Sequence, residues 1–463
     1  MPALTVEDVV RGTQGALVGG DLGVPVTGVS IDTRTLGIGE VFFAIRGPHL
    51  DGHTFLRDAA ARGAACLVVH SLPDDLPPSV PAVLVDDTTQ ALGRLASYHR
   101  ARFTVPVAAV TGSNGKTTTK EMMAAVLGAL GPVLKPESSF NNQWGLPLTL
   151  LRLAPEHRAV VLELGANTPG EIAALAGISR PTVGVVTMVA TAHTEFFGSL
   201  DGVAAEKSAL VLAIPREGAV VLNADDPRVI AMRPLSRARV LTFSGRPGAD
   251  VSAVGPAEHT TEGMRFTLEA GGDRHTVTLR FAGGHNVMNA LAAAAVGRTL
   301  GLPLEIIARG LAAARPVKGR CVWRRAGSIR ILDDTYNANP VSVRAALETL
   351  GAAVDCRRRL VVLGDMLELG AISDAAHRDA GRAVAESGAA EFVGVGRRML
   401  AAVEAARAAG LGESHHAATF EDTVALLLKR LAPGDALLVK GSRGMRMERV
   451  VDALLARFGG EDG

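Results

Sequence analysis

The stretch Thr111-Gly112-Ser113-Asn114-Gly115-Lys116-Thr117-Thr118 constrains this chain more than any other. It follows a short apolar run, Val107-Ala108-Ala109-Val110, and precedes a segment with helical spacing from about Thr117 to Leu130. Strand, glycine loop and helix in that order make a phosphate-binding loop. The glycines let backbone N–H groups curl around phosphate oxygens, and the helix N-terminus adds partial positive charge. Lys116 is placed to reach the outer phosphates, and the Thr117 hydroxyl to ligate Mg²⁺. Gly112, Ser113, Asn114, Gly115 and Thr118 complete the expected cradle. The general pattern has a glycine six residues before the lysine; here that position is Val110, so the loop is a variant.

A P-loop needs a parallel sheet around it, and the flanking pattern supplies one. Apolar runs at Ala159–Leu164, Val183–Val189 and Ala219–Leu222 alternate with helical patterns, which predicts a doubly wound sheet. A chain of 463 residues suggests roughly three domains. Residues 1–104 read as a small mixed α/β domain, with a strand at Val41–Ile45, a helix at Phe55–Arg62, a strand at Cys66–Val69 and a closing helix at Thr88–Arg102. Residues 105–315 form the central P-loop, ATPase-like domain with its parallel sheet. Residues 316–463 read as a Rossmann-like α/β domain, with strands at Ile329–Leu332, Arg359–Leu363, Phe392–Val395 and Ala436–Val439. Arg315–Arg320 contains Pro316 and Gly319 and reads as the hinge.

Charge and cysteines narrow the function. The 48 basic and 47 acidic side chains nearly cancel, so no broad field favours nucleic acid or an anionic membrane. No apolar run reaches the ~18–20 residues of a membrane span, and no signal peptide is expected. Cys66, Cys321 and Cys356 are sparse and far apart, which suits reduced thiols in the cytoplasm.

Several side chains carry candidate chemistry. Glu163 ends an apolar strand beside the loop, where its carboxylate can hold Mg²⁺, a hard ion that prefers oxygen. His193 follows the next strand at the same sheet edge. Lys207 lies in a helical stretch, where spacing alone says nothing of a role. Asn286 and Asn289 open an Ala-rich helix, His285–Leu300; their amides suit a base edge, and for Asn286 helix capping is an equal alternative.

These residues, in this order, resemble the Mur ligase family, which builds the peptide of bacterial cell-wall precursors. The resemblance covers essentially the whole chain. Asp32-Thr33-Arg34, Val41–Gly47 and Asp51-Gly52-His53 look like the UDP-substrate domain, which implies Ser30, Thr33, Arg34, Arg46, Gly47 and His53 as substrate-binding residues. Asn141-Asn142-Gln143-Trp144-Gly145-Leu146-Pro147 resembles the family's Asn-Asn…Gly…Pro loop. Gln143-Trp144 replaces the commoner Glu-Ile but leaves Asn142 and Gly145 in place, so little consequence is expected. Glu163–Asn167, Asp333–Pro340 and Gly364–Gly370 are similar to blocks typical of the branch that adds a dipeptide. That branch implies ATP, UDP-MurNAc-tripeptide and D-Ala-D-Ala as substrates, with an acyl phosphate between them.

By the same resemblance, Thr117 and Glu163 hold one Mg²⁺ and His193 helps hold a second. Asn142 contacts the phosphate or metal region, Asn289 the adenine, and Tyr336 lies near the base or ribose. Arg320 and Asp334 complete the nucleotide site on domain closure, and Lys207 looks like the lysine that relatives carry as a carbamate. A monomer is expected. The alternatives are a ligase that adds the third residue to UDP-MurNAc-dipeptide, folylpolyglutamate synthase, and a non-catalytic ATP-binding switch.

Overall fold

The computed structural model describes residues 4–72, 80–137, 140–191, 194–260 and 263–460. Its centre is a nine-stranded sheet among the described residues, starting from Val133–Leu134, Ala159–Glu163, Val107–Thr111, Val183–Val186, Ala219–Asn223 and Arg239–Ser244, all parallel. Side chains of a strand point alternately to opposite faces, and Val107–Val110 shows the consequence. Val107 and Ala109 pack into one core, while Ala108 and Val110 pack into the other. One face is covered by the P-loop helix Lys116–Leu127 and the Ala-rich helix His285–Thr299. Helices Glu171–Ser179 and Leu200–Ala213 cover the other. Burial on both faces explains why these strands read as continuous apolar runs. Each fully buried Val or Leu contributes about 1.5–3 kcal/mol.

The sheet is longer than its parallel part. Val251–His259, Met264–Ala270 and Asp273–Leu279 extend it, the last two pairings antiparallel. This meander adds an antiparallel end to the expected parallel sheet. Met264–Ala270 alternates buried and partly open positions, because only one of its faces has a core to meet.

The N-terminal unit holds a five-stranded sheet in the order Ala16–Val18, Ala82–Leu84, Cys66–Val69, Glu40–Phe43, Gly28–Ser30. Its helix Thr88–Arg100 docks on the central domain, with Leu92, Leu95 and Ala96 in the core that also contains Val107 and Leu162. Polar contacts reinforce the joint. The His99 ring nitrogen Nε2 meets the Leu153 carbonyl at 2.9 Å, and Arg100 Nε donates to Ser179 O at 3.3 Å. Trp144 Nε1 donates to Thr89 Oγ1 at 3.1 Å. Trp144, at the departure from the commoner pair, thus adds a contact across this joint.

The C-terminal sheet runs Val322–Ala326, Ile329–Asp334, Ala436–Lys440, Arg359–Gly364, Glu391–Val395, Ser414–Ala417. Only the first pair is antiparallel. Val361 and Leu363 enter one core and Leu360 and Val362 the other, so this sheet too is covered on both faces. No helix among the described residues is long and apolar enough to cross a membrane.

Candidate active site

The P-loop is shaped by two glycines. Gly115 has φ +82° and caps the helix Lys116–Leu127, and its bare Cα faces Asn289, whose Oδ1 would lie 2.3 Å from an added Cβ. Gly112 has φ +151°, and a Cβ there would lie 1.8 Å from Thr187 Oγ1. No other residue type fits either place. Side chains then fix the loop to its neighbours. Ser113 Oγ donates to Ala190 O at 3.0 Å, and Thr187 Oγ1 donates to Asn114 O at 2.7 Å.

Lys116 Nζ folds back onto Gly112 O at 2.8 Å. Burial holds its ammonium below the usual lysine range; Glu163 opposes that shift, and Arg320, from the other domain, adds to it. Thr117 Oγ1 donates to Glu163 Oε2 at 2.7 Å, and Asn141 Nδ2 donates to Glu163 Oε1 at 2.9 Å. Glu163 is 2 % exposed, so this carboxylate is held rather than solvated. A hydroxyl, a carboxylate and an amide offer the oxygen donors that suit Mg²⁺.

Asn142 has its side-chain oxygen engaged within its own loop. Its Oδ1 accepts from Gly145 N at 2.9 Å and Trp144 N at 3.2 Å, capping the following helix Gly145–Leu150. Asn141 is the residue that lines the cleft. His193 lies outside the described residues. Lys207 is buried in helix Leu200–Ala213. Burial first, then the charge of Lys116, pushes its amine down to about 7, with Glu206 opposing. Glu206 itself accepts from Gly170 N and Ile172 N, each at 2.7 Å.

The far wall of the cleft comes from the C-terminal domain. The Arg320 guanidinium lies 3.8 Å from the centre of the Tyr336 ring, within cation–π range. Asp334 accepts from Lys440 Nζ at 2.6 Å and from Cys321 N at 3.1 Å. Cys321 takes φ +56° to offer that N–H. One contact bridges the walls directly. Asn339 Nδ2 donates to Asn114 Oδ1 at 2.7 Å, while Asn339 Oδ1 caps helix Pro340–Gly351. The cleft between these walls measures about 420 Å³, within the roughly 300–1,000 Å³ of ligand pockets.

Asn289 sits in the same cleft. Its Nδ2 donates to Asn286 Oδ1 at 2.8 Å, and its Oδ1 accepts from Thr119 at 3.2 Å. Asn286 donates to Ala282 O at 2.7 Å, so it braces Asn289 rather than standing alone. The N-terminal candidates do not line this cleft. Ser30 Oγ and the Asp32 backbone bond to each other, and Arg34 grips Asp32 through several contacts of 2.6–3.1 Å. That guanidinium holds the Asp32 carboxyl at about 2. Thr33 sits in the same turn. Arg46 pairs across a bridge with Asp51, and Gly47 N donates to Leu50 O at 2.8 Å. His53 is held by two contacts inside the domain. Its Nε2 accepts from His70 N at 3.2 Å, which leaves the proton on Nδ1, facing Asp51 Oδ1 at 2.8 Å. Both ring nitrogens are thus engaged inside the domain, and His53 shapes this loop.

Sequence reasoning passed over Lys440, Asn141 and the Asn114–Asn339 pair. Lys440 carried a usable signal: a charged residue ending a buried strand, the same feature that singled out Glu163. The Asn pair carried none, since its partners are 225 residues apart.

A P-loop facing a cleft that a second α/β sheet closes defines a multidomain enzyme working on the terminal phosphate of a nucleotide. Three family models match in succession: "Mur ligase family, catalytic domain" over residues 25–100, "Mur ligase middle domain" over 110–297 and "Mur ligase, glutamate ligase domain" over 319–443. The chain belongs to the Mur ligase family. It is 38% identical to UDP-N-acetylmuramoyl-tripeptide--D-alanyl-D-alanine ligase of Escherichia coli (strain K12), over 98% of this chain and 99% of that one. A crystal structure of MurF from Acinetobacter baumannii superposes with TM-score 0.90 at 32% identity, covering 98% of this chain and 99% of that one. MurF ligase from Thermotoga maritima in complex with ADP superposes with TM-score 0.83 at 28% identity, covering 93% and 98%.

Proposed function

We propose that this protein is the ATP-dependent ligase that joins D-Ala-D-Ala to UDP-MurNAc-tripeptide, giving UDP-MurNAc-pentapeptide. The observation that carries the reading is one cleft with a P-loop, Glu163 and Thr117 on one wall and the segments 333–340, 364–370 and 440–444 on the other. Such a site can activate a carboxylate on one side and deliver an amine from the other.

The chemistry follows from charge. A carboxylate does not condense with an amine in water without activation. The tripeptide carboxylate oxygen forms a bond to the γ-phosphorus, the bond from that phosphorus to the ADP oxygen breaks, and ADP leaves. Lys116 offsets repulsion between the two anions. Thr117 and Glu163 are the residues that would hold Mg²⁺, which when bound supplies further charge neutralisation. The dipeptide amine then forms the C–N bond, the acyl C–O bond breaks, and phosphate departs with the amine's surplus proton passing to solvent. Asn289 and Arg320 with Tyr336 bracket the nucleoside end, and Asn114–Asn339 closes the walls against water, which would hydrolyse the acyl phosphate. The N-terminal domain carries the UDP end, with Arg46 and the Ser30–Arg34 turn as its polar edge. Lys207 has a neutral form near pH 7, as carbamate formation requires. Buried, unpaired thiols at Cys66 and Cys321 fit a reducing cytoplasm.

The test is a choice of substrates read by mass spectrometry. Tripeptide plus D-Ala-D-Ala should give the pentapeptide mass. Product only from UDP-MurNAc-dipeptide and a free amino acid would replace this reading with the third-residue ligase.

A further inference from the structure

The 48 basic and 47 acidic side chains balance over the whole chain but not along it. From Pro227 to Ala249 there are five arginines and no acidic residue. One of them, Arg228, is paired with Asp201 at 3.2 Å. Arg233, Arg237 and Arg239 are exposed, as are Arg180 and Arg216. Among the described residues, none of these five side chains has a hydrogen bond or an ion pair.

The sheet brings them together. Val183, Ala219 and Arg239 begin three neighbouring parallel strands and stand side by side in register. Arg180 and Arg216 each lie three residues before such a start, and Arg237 lies two before. The same strands run parallel to Val107–Thr111, whose far end carries the P-loop. These arginines therefore sit at the sheet edge opposite the cleft, and none of them lines it.

Apolar surface stands among the charges. Leu212, near the end of helix Leu200–Ala213, is 56 % exposed. Leu235 is 42 % exposed, in the turn Arg233–Leu235 that packs against that helix. Leu212, Ala213 and Pro215 wall two adjoining surface hollows, one reaching Arg216 and Arg237 and the other Arg180. No aromatic side chain enters either hollow. Glu217, exposed beside Arg216, offsets one of the five positive charges.

We propose that this edge of the central domain binds an anionic phospholipid surface, with the guanidiniums on lipid phosphates and Leu212 and Leu235 among the upper acyl chains. A guanidinium fork matches phosphate oxygens in shape as well as charge. Each arginine near an anionic leaflet contributes about fivefold to binding. Leucines standing among the arginines supply the shallow apolar contact of a protein that lies on a membrane without crossing it. Protein-binding hot spots and single-stranded nucleic-acid sites draw on aromatic side chains, which both hollows lack. Bound by this edge, the protein turns its cleft away from the lipid and keeps it open to nucleotide.

The experiment is cosedimentation of the full-length protein with vesicles of phosphatidylcholine alone, and with vesicles that also contain phosphatidylglycerol. Binding should require phosphatidylglycerol and fall as salt rises. Arg216→Gln combined with Arg237→Gln should weaken it on the order of twentyfold, and Leu212→Ser should weaken it several-fold. Arg309→Gln, exposed in helix Leu304–Ala313 over the other face of the sheet, should change little. Thermal unfolding and ATP turnover should hold in every variant, since each changed side chain is exposed and outside the cleft. Failure to bind the anionic vesicles, equal binding to both kinds, or an undiminished double arginine variant would overturn the proposal. So would an undiminished Leu212→Ser, which would mark a phosphate site indifferent to lipid. Retention on poly-L-glutamate without binding to vesicles would replace the lipid with an acidic protein partner.

Discussion

On the central-domain wall of the cleft, most of the lining polar groups come from one short stretch, Thr111–Thr118, and from neighbouring strand ends. On the C-terminal wall they come from segments scattered over more than a hundred residues, and they hold one another: Asp334 with Lys440, Arg320 with Tyr336. The first wall is complete within its own domain. The second gains contact with the first through Asn339 and Asn114. The difference suits the proposed function, in which the first wall serves as the anion cradle and the second carries the nucleophile.

If that division holds, the largest loss lies in the cradle. Lys116→Ala should cut turnover on the order of a thousandfold or more, measured as ADP formed per enzyme; substantial residual ligation would break the comparison at its stronger end. Glu163→Ala should cost roughly a hundredfold and move the Mg²⁺ titration to higher concentration. An unchanged titration would remove Glu163 from the metal.

The next effect concerns pH. The Lys207 amine is lowered to about 7, so its neutral, CO₂-reactive form grows as pH rises through 7 and is lost below it. Enzyme depleted of CO₂ and then resupplied should regain activity roughly tenfold faster at pH 8 than at pH 6, following the neutral fraction. Equal rates at the two pH values would count against carbamate chemistry there.

Smaller effects probe the joints. Asn339→Ser keeps an oxygen to cap helix Pro340–Gly351 but removes the amide pair to Asn114. It should weaken nucleotide binding about fivefold, near 1 kcal/mol, measured by titration. Trp144→Phe keeps an aromatic ring, though a smaller one, and loses the donor to Thr89. It should lower stability by about 1 kcal/mol or less in thermal unfolding and leave the ATP KM alone. A large ATP effect there would show that the N-terminal joint is part of the nucleotide site.

The same contrast explains what could be read in the sequence. The P-loop was legible because its chemistry is local: strand, glycines, lysine and helix occupy consecutive residues. Buried parallel strands such as Val107–Thr111 and Ala436–Lys440 were legible as apolar runs for the same reason. The antiparallel meander at 251–279 was not, since its one-sided burial gives alternating, partly polar strands that read weakly. Asn141 and Asn142 differ in role only through which one caps a helix, a matter of backbone direction that adjacent identical residues cannot reveal. His53 stood in a family-like motif, yet its two nitrogens are taken by Asp51 and His70, the latter placed by folding. The C-terminal wall was legible only as family-like blocks, because its pairings span long stretches of chain.

The most direct measurement is phosphate release from ATP with UDP-MurNAc-tripeptide, with and without D-Ala-D-Ala. Sustained release that requires both, matched one for one by pentapeptide, is the predicted result. Release that ignores the dipeptide, or ATP binding with no release at all, would contradict a site built to couple one wall to the other.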